Sequence, residues 1–184
     1  MLHYKIIIFI IVTVGLVWLS WKSLRSFRSH GFYRFYAWEA ILALILLNIG
    51  HWFDYPLSTD QLIAWFLLII SLVLLIAGIR LLISIGKPDS SREDPSLIGL
   101  EKTTKLVTVG AYKYIRHPIY GSLLFLAWGA LFKQINLITI CLALIATFFL
   151  FMTAKMEEAE NIKFFGDEYR EYMRRTKMFI PYLF

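Results

Sequence analysis

The chain has 184 residues, 59% of them hydrophobic and only 17% charged, a mixture far from that of a soluble domain, so lipid must replace water over much of its surface. Its net charge of +6 could suggest nucleic acid, but the basic residues lie between apolar runs rather than on a soluble face, which points to anionic lipid headgroups and away from a nucleic-acid partner. The single cysteine, Cys141, sits inside an apolar run and can build neither a disulfide nor a thiolate metal site.

The first apolar run, Ile6 to Trp21, lacks a small-x-small cleavage site and is followed by Lys22, Arg25, Arg28 and Arg34. It reads as a retained helix with its N-terminus outside. A second run spans Tyr36 to Phe53, and an acidic connection, Asp54 to Asp60, leads into a third from Leu62 to Ile85. The polar stretch from Gly86 to His117 carries Lys87, Arg92, Lys102, Lys105, Lys113 and Arg116 and is expected in the cytoplasm. Two further apolar segments, Pro118 to Phe132 and Ile135 to Thr153, are separated only by Lys133 and Gln134, which predicts a tight helical hairpin. The tail from Lys155 is charged again. Sixteen of the nineteen Lys and Arg residues fall in the three segments so placed inside. The expected fold is therefore all-α: a polytopic membrane protein of about five transmembrane helices, N-terminus outside and C-terminus cytoplasmic. It forms one domain over 1–184, with three membrane helices in 1–85 and a polar loop, hairpin and tail in 86–184.

Ile135 to Phe165 contains neither Pro nor Gly, and Gly166 is the first residue suited to a left-handed cap. At ~1.5 Å per residue such a helix runs ~46 Å, beyond the ~30 Å hydrocarbon core, so Glu157, Glu158 and Glu160 project into the interface. Asp167 can cap a short amphipathic helix to Thr176 whose Tyr169, Tyr172 and Met173 would lie on the membrane surface. Glu39, Asn48 and Arg80 stand inside apolar runs, where an isolated charge is expensive. Glu39 and Arg80 are expected to pair or line one polar pocket, the alternative being that Arg80 snorkels to the interface. Asn48 suits an interhelical hydrogen bond, and His51 an interfacial position.

Two clusters, Leu106 to Gly121 and Glu157 to Tyr172, flank the hairpin, so folding it brings them to one membrane face. Pro118 suits the first helical position and makes His117 the cap, leaving first-turn N–H groups as an anion site beside Arg116. Glu157 and Glu158 sit near a helix C-terminus, where the dipole disfavours them and a cationic or hydroxyl-rich ligand would offset the cost. Carboxylates for ribose hydroxyls or an ammonium, backbone N–H with Arg or His for a carboxylate, and Tyr112, Tyr114 and Tyr120 for an aromatic base or sulfonium together suit a small zwitterion bearing a sugar. Each fragment alone also fits a purely structural role.

The order Leu106-Val107, Gly110, Tyr112, Arg116-His117-Pro118, Tyr120-Gly121, a hydrophobic hairpin, then Glu157-Glu158, Phe165-Gly166, Glu168-Tyr169, Tyr172 and Pro181 resembles the integral membrane methyltransferases typified by isoprenylcysteine carboxyl methyltransferase and phospholipid N-methyltransferases. The resemblance covers Leu106 to Pro181; the earlier helices match in hydropathy alone. It implies S-adenosylmethionine bound on the cytoplasmic side of a membrane, in a pocket open sideways to the bilayer for a lipophilic acceptor. Carried over by motif, Leu106, Val107, Gly110, Tyr112, His117 and Tyr120 would hold the cofactor, and Glu157 and Glu158 its polar end. Arg175, with Arg116, would face the acceptor. The expected site of action is the plasma membrane of a prokaryote.

Methyl transfer from a sulfonium is an in-line displacement, so the demands are alignment and exclusion of water. No His/Asp pair stands near the acceptor side, which favours an acceptor that is already nucleophilic. Two rivals are a membrane reductase of the sterol reductase type using NADPH, and a noncatalytic scaffold that contacts anionic lipid through its basic loops.

Overall fold

In a computed structural model, residues 2–89 and 97–182 are described; Arg92 of the polar loop lies outside them. Among the described residues six α-helices follow in chain order: α1 Leu2–Ser20, α2 His30–Asn48, α3 Thr59–Leu81, α4 Pro118–Leu131, α5 Leu137–Phe165 and α6 Asp167–Arg175. Four segments of the described residues are long and apolar enough to cross a bilayer: His3–Ser20, His30–His51, Thr59–Gly86 and Leu137–Phe165. The fifth apolar helix, α4, has 14 residues, ~21 Å of rise, and reaches its depth packed among α2, α3 and α5. Among the described residues there is no β-strand, only isolated bridges at Pro88–Thr103 and Ile115–Lys177.

Local chemistry sets the helix ends. Ser29 caps α2 by accepting from the Phe32 N–H at 3.2 Å. At the hairpin turn Asn136 accepts from the Thr139 N–H at 3.1 Å while the Thr139 hydroxyl accepts from the Asn136 N–H at 2.9 Å, a reciprocal cap that starts α5 sharply. The expected long helix runs unbroken to Phe165 and stops at Gly166, whose φ of 63° suits glycine. α3 ends in a π-helical turn, Leu82–Gly86.

Because lipid tails are as apolar as leucine, burial alone cannot pull these helices together, and small residues at the contacts let dispersion do so. Ala37 and Ala40 of α2, Ala127 and Ala130 of α4, and Ala143, Ala146 and Ala154 of α5 form the centre of the core with Ile41, Leu44 and Leu150. Between α3 and α4 the approach is closer still: a Cβ on Gly129 would meet Leu68 at 2.9 Å, and one on Gly78 would meet Ile119 at 2.8 Å.

The first helix, α1, packs along α2 and leaves most of its Ile and Val side chains exposed, as a lipid-facing helix does. Its Thr13 hydroxyl donates to Glu39 at 2.9 Å. The expected partnership of Glu39 with Arg80 is thus corrected: Glu39 turns toward α1, whereas Arg80 is exposed on α3. Asn48 makes the expected interhelical bond, donating to the Ala130 carbonyl at 2.7 Å. His51 lies beside Asp54, 2.9 Å away.

Candidate active site

The hairpin turn places the N-terminus of α4 beside the C-terminal third of α5, and a short extended segment after α6 locks them. The Arg116 N–H donates to Lys177 at 2.8 Å, the His117 N–H to Met178 at 3.2 Å, and the Lys177 N–H to Tyr114 at 3.0 Å. Pro118 opens α4, and the His117 carbonyl accepts from the Gly121 N–H at 2.8 Å, so His117 is the cap through its backbone while its ring is left to other work. That ring lies between two carboxylates: Nδ1 is 3.6 Å from Glu157 and Nε2 is 3.6 Å from Glu158. It stacks on Tyr120 at 5.5 Å. Burial alone would lower the imidazole pKa, but the two carboxylates outweigh it and raise the value above 6.5.

Arg116 is committed to structure. Its Nε donates to Glu158 at 2.7 Å and its Nη1 to the carbonyls of Met173 and Thr176, stitching α5 to the end of α6. The anion site expected beside Arg116 is therefore not what its guanidinium serves.

A second polar cluster joins the first turn of α2 to the polar loop and α5. His30 Nδ1 is 2.5 Å from Glu160, and its Nε2 is 3.3 Å from Glu101. Arg34 donates through Nη1 to both oxygens of Glu101. Burial would raise the Glu101 pKa, but hydrogen bonding to His30 and the charge of Arg34 hold it below the usual carboxylate range. From the sequence, Arg34 counts only as a flanking charge and Glu160 only as an interfacial carboxylate, and His30 and Glu101 do not stand out at all. His30 and Arg34 are four apart, on one face of a helix start, and that spacing was available as a signal.

Between the clusters lies a cavity of about 80 Å³, walled by Tyr112, Tyr120, Tyr169, Tyr172, Glu101 and Glu157, with apolar sides from Leu82, Leu106, Val107, Ile119 and Phe165. Of the six buried side-chain polar atoms without a hydrogen-bond partner among the described residues, two, His117 Nε2 and the Tyr120 hydroxyl, belong to residues that line this cavity. Burial, reinforced by the charge of Glu157, pushes the Tyr112 and Tyr169 phenols up; burial raises Tyr172 against the opposing charge of Arg116. These phenols stay neutral and serve as hydrogen-bonding walls rather than bases. A wider groove of about 890 Å³ shares Leu106 and Tyr172 with the cavity and is bordered by Lys113, Tyr114, Glu168 and Arg175.

Of the residues singled out in the sequence, Leu106, Val107, Tyr112, Arg116, His117, Tyr120 and Glu157 meet on the cavity wall. Glu158 stands just behind it, pairing with Arg116. Gly110 shapes the turn instead, at φ +60° and with Leu81 where a Cβ would be. Arg175 borders the groove, not the cavity; it is 72% exposed and bonded to Glu171. The amphipathic helix is corrected in two respects. Gly166 rather than Asp167 occupies its cap, and Asp167 accepts from Arg170 at 3.1 Å. Tyr169 and Tyr172 are buried against the site, the Tyr172 hydroxyl donating to the Tyr112 carbonyl at 2.7 Å, so this face serves the protein interior and not the membrane surface.

Residues 95–163 match the isoprenylcysteine carboxyl methyltransferase family. The chain is 36% identical to methanethiol S-methyltransferase 1 of Bradyrhizobium diazoefficiens over 87 residues, 47% of this chain but only 30% of that protein. It is 27% identical to a probable protein-S-isoprenylcysteine O-methyltransferase of Oryza sativa subsp. indica over 148 residues, 79% of this chain and 77% of that one. Over 77 residues, 41% of this chain and 33% of the relative, it is 35% identical to protein-S-isoprenylcysteine O-methyltransferase of Schizosaccharomyces pombe. No solved structure matches.

Proposed function

We propose that this chain, an integral membrane protein of the isoprenylcysteine carboxyl methyltransferase type, transfers a methyl group from S-adenosylmethionine to a lipophilic acceptor at the cytoplasmic membrane face. The observation that carries the reading is the cavity, where four tyrosines and two carboxylates surround buried polar atoms of His117 and Tyr120 that lack partners. The residues fit such a donor: aromatic faces and negative charge favour a sulfonium, while the orphaned His117 and Tyr120 atoms await a polar ligand. When bound, S-adenosylmethionine supplies an electrophilic methyl group on a positive sulfur.

The chain's part is to hold and to exclude. Glu157, Tyr112, Tyr120 and His117 would bind and orient the donor, with Leu106 and Val107 beside them. The cavity suits one end of that ligand, and the groove beyond Leu106 and Tyr172 suits the rest. Leu82, Ile119 and Phe165 keep water from the reacting atoms. Phenol pKa values raised by burial, and two carboxylates that favour the protonated imidazole of His117, make these groups poor bases, which favours an acceptor that arrives as an anion, a thiolate or a carboxylate. The names of the relatives divide along that line. Arg175, which borders the groove, would face the acceptor, while Arg116, expected beside it, instead holds Glu158 and the end of α6 in place. The cytoplasmic orientation is supported by the Lys and Arg bias, and the proposed place of action remains the plasma membrane of a prokaryotic cell.

The test is labelled methyl transfer by the full chain in lipid nanodiscs, offered short-chain thiols, prenylcysteines and phospholipid amines in turn. Incorporation into a thiol or prenylcysteine that requires S-adenosylmethionine supports the proposal. Binding of NADPH without binding of S-adenosylmethionine would overturn it in favour of a reductase, and binding of neither would leave a lipid-contacting scaffold.

A further inference from the structure

Glu101 reaches the cavity wall from a short 3-10 turn, Gly99–Glu101, and not from a bundle helix. A loop carboxylate at the edge of a cavity would ordinarily turn to water. This one is held from three directions. Arg34 donates to both oxygens, the Ile98 N–H donates to Oε2 at 2.9 Å, and His30 Nε2 stands 3.3 Å from the same oxygen. The holders are themselves fixed: His30 and Arg34 are 0% and 1% exposed, and Glu160 takes both the His30 ring nitrogen at 2.5 Å and its backbone N–H at 3.1 Å.

Of the about four acceptor positions of a carboxylate, Arg34, Ile98 and His30 crowd those on Oε2 while Arg34 alone contacts Oε1, which keeps a position for a further donor. The same wall carries the Tyr120 hydroxyl, 5% exposed as a residue and without a hydrogen-bond partner, and the orphaned Nε2 of His117. Four tyrosines complete a lining able to enclose a polar ligand, and Glu101 presents to it an acceptor whose direction the protein has fixed. Burying His30 and Arg34 to steer one loop carboxylate costs desolvation that ligand binding would offset.

The geometry points to Glu101 as a binding residue of this cavity, accepting a hydrogen bond from a hydroxyl or ammonium group of the methyl donor, with His30 and Arg34 as the positioning residues that aim it. The inference rests on the donor reading above and adds to it a contact from outside the Leu106 to Gly121 and Glu157 to Tyr172 clusters. It also gives the loop ahead of Leu106 a part in recognition.

The experiment measures calorimetric affinity, in nanodiscs, for S-adenosylhomocysteine, its desamino analogue and its 2′- and 3′-deoxyribose analogues, in wild-type protein and in E101Q. Wild-type protein should bind the parent about tenfold more tightly than whichever analogue lacks the group that Glu101 accepts from. In E101Q that one penalty should shrink to about twofold or less while the others persist, and H30N should show the same pattern more weakly. A loosened loop would instead weaken every ligand alike and preserve the penalties. The inference is overturned if E101Q keeps all wild-type penalties, or if wild-type protein shows none. Failure of wild-type protein to bind S-adenosylhomocysteine at all would sink the donor reading and this inference with it, whereas binding with undisturbed penalties would sink this inference alone.

Discussion

At the hairpin-turn end of the bundle, Asn48 donates to the carbonyls of Ala130 and Gln134, Gln61 donates to Lys133, and the buried Lys133 ammonium donates to Gln61 at 2.9 Å while lying 3.5 Å from the Trp65 ring centroid. At the other end, Arg116, His117, Glu157 and Glu158 form one cluster and His30, Arg34, Glu101 and Glu160 another, with a cavity between them. Both ends bury polar groups in a bundle that lipid surrounds. The first uses them to satisfy helix-terminal carbonyls and tie α2, α3 and the turn together. The second leaves the ring nitrogen of one residue and the hydroxyl of another facing a cavity without partners, and carries several charges where hydrogen bonds would have sufficed for folding. Each end keeps a buried polar atom without a partner, Asn48 Oδ1 at the first and His117 Nε2 and the Tyr120 hydroxyl at the second, but the second sets them around a cavity, where a ligand would complete them.

The contrast can be broken by substitution, and the largest effect is expected at Arg116. R116A leaves Glu158 buried with only Lys155 and His117 nearby and frees the end of α6, at a cost of about 3 kcal/mol, so both the denaturation midpoint and ligand binding should collapse. Next comes E157Q. Removing one charge from the cavity wall should reduce methyl transfer or donor affinity about a hundredfold while the midpoint moves little, because the amide keeps the shape. At the other end N48A should do the reverse, lowering stability by about 1 kcal/mol as the Ala130 carbonyl loses its donor, with kcat and KM unchanged. Were N48A to abolish turnover with the fold intact, the division between the ends would be wrong.

Two smaller effects sharpen the picture. Folding raises the His117 pKa above its unfolded 6.5, so the stability it contributes is complete below pH 6.5 and fades as pH climbs through the folded value. H117Q should flatten that part of a pH–stability curve recorded by thermal denaturation. The mildest expected change is R175A: an exposed arginine at the groove should alter acceptor KM by about threefold and leave the melting curve in place.

Much of this was legible in the sequence because it depends on neighbours along the chain. The hairpin follows from two apolar runs with two residues between them, and the length of α5 from the absence of Pro and Gly before Gly166. The meeting of Arg116-His117 with Glu157-Glu158 follows from the hairpin alone, and the structure brings them within 2.7 to 3.6 Å. What escaped depends on residues distant in sequence. Glu101 meets Arg34 across 67 positions and His30 meets Glu160 across 130, and neither pairing leaves a periodic trace. The apolar stripe of α6 was visible, but a stripe does not say whether lipid or protein will cover it. Glu39 went to a threonine on α1, a hydroxyl that hydropathy counts as nearly neutral.

The extended segment after α6 has a consequence for biosynthesis. Backbone bonds from Lys177 and Met178 form the brace behind His117, so the pocket cannot set until residue 178 has left the ribosome. The spanning helices can enter the bilayer one after another during translation, yet the binding centre arises in a single late event. A nascent chain stalled a few residues earlier would be inserted, packed and inert.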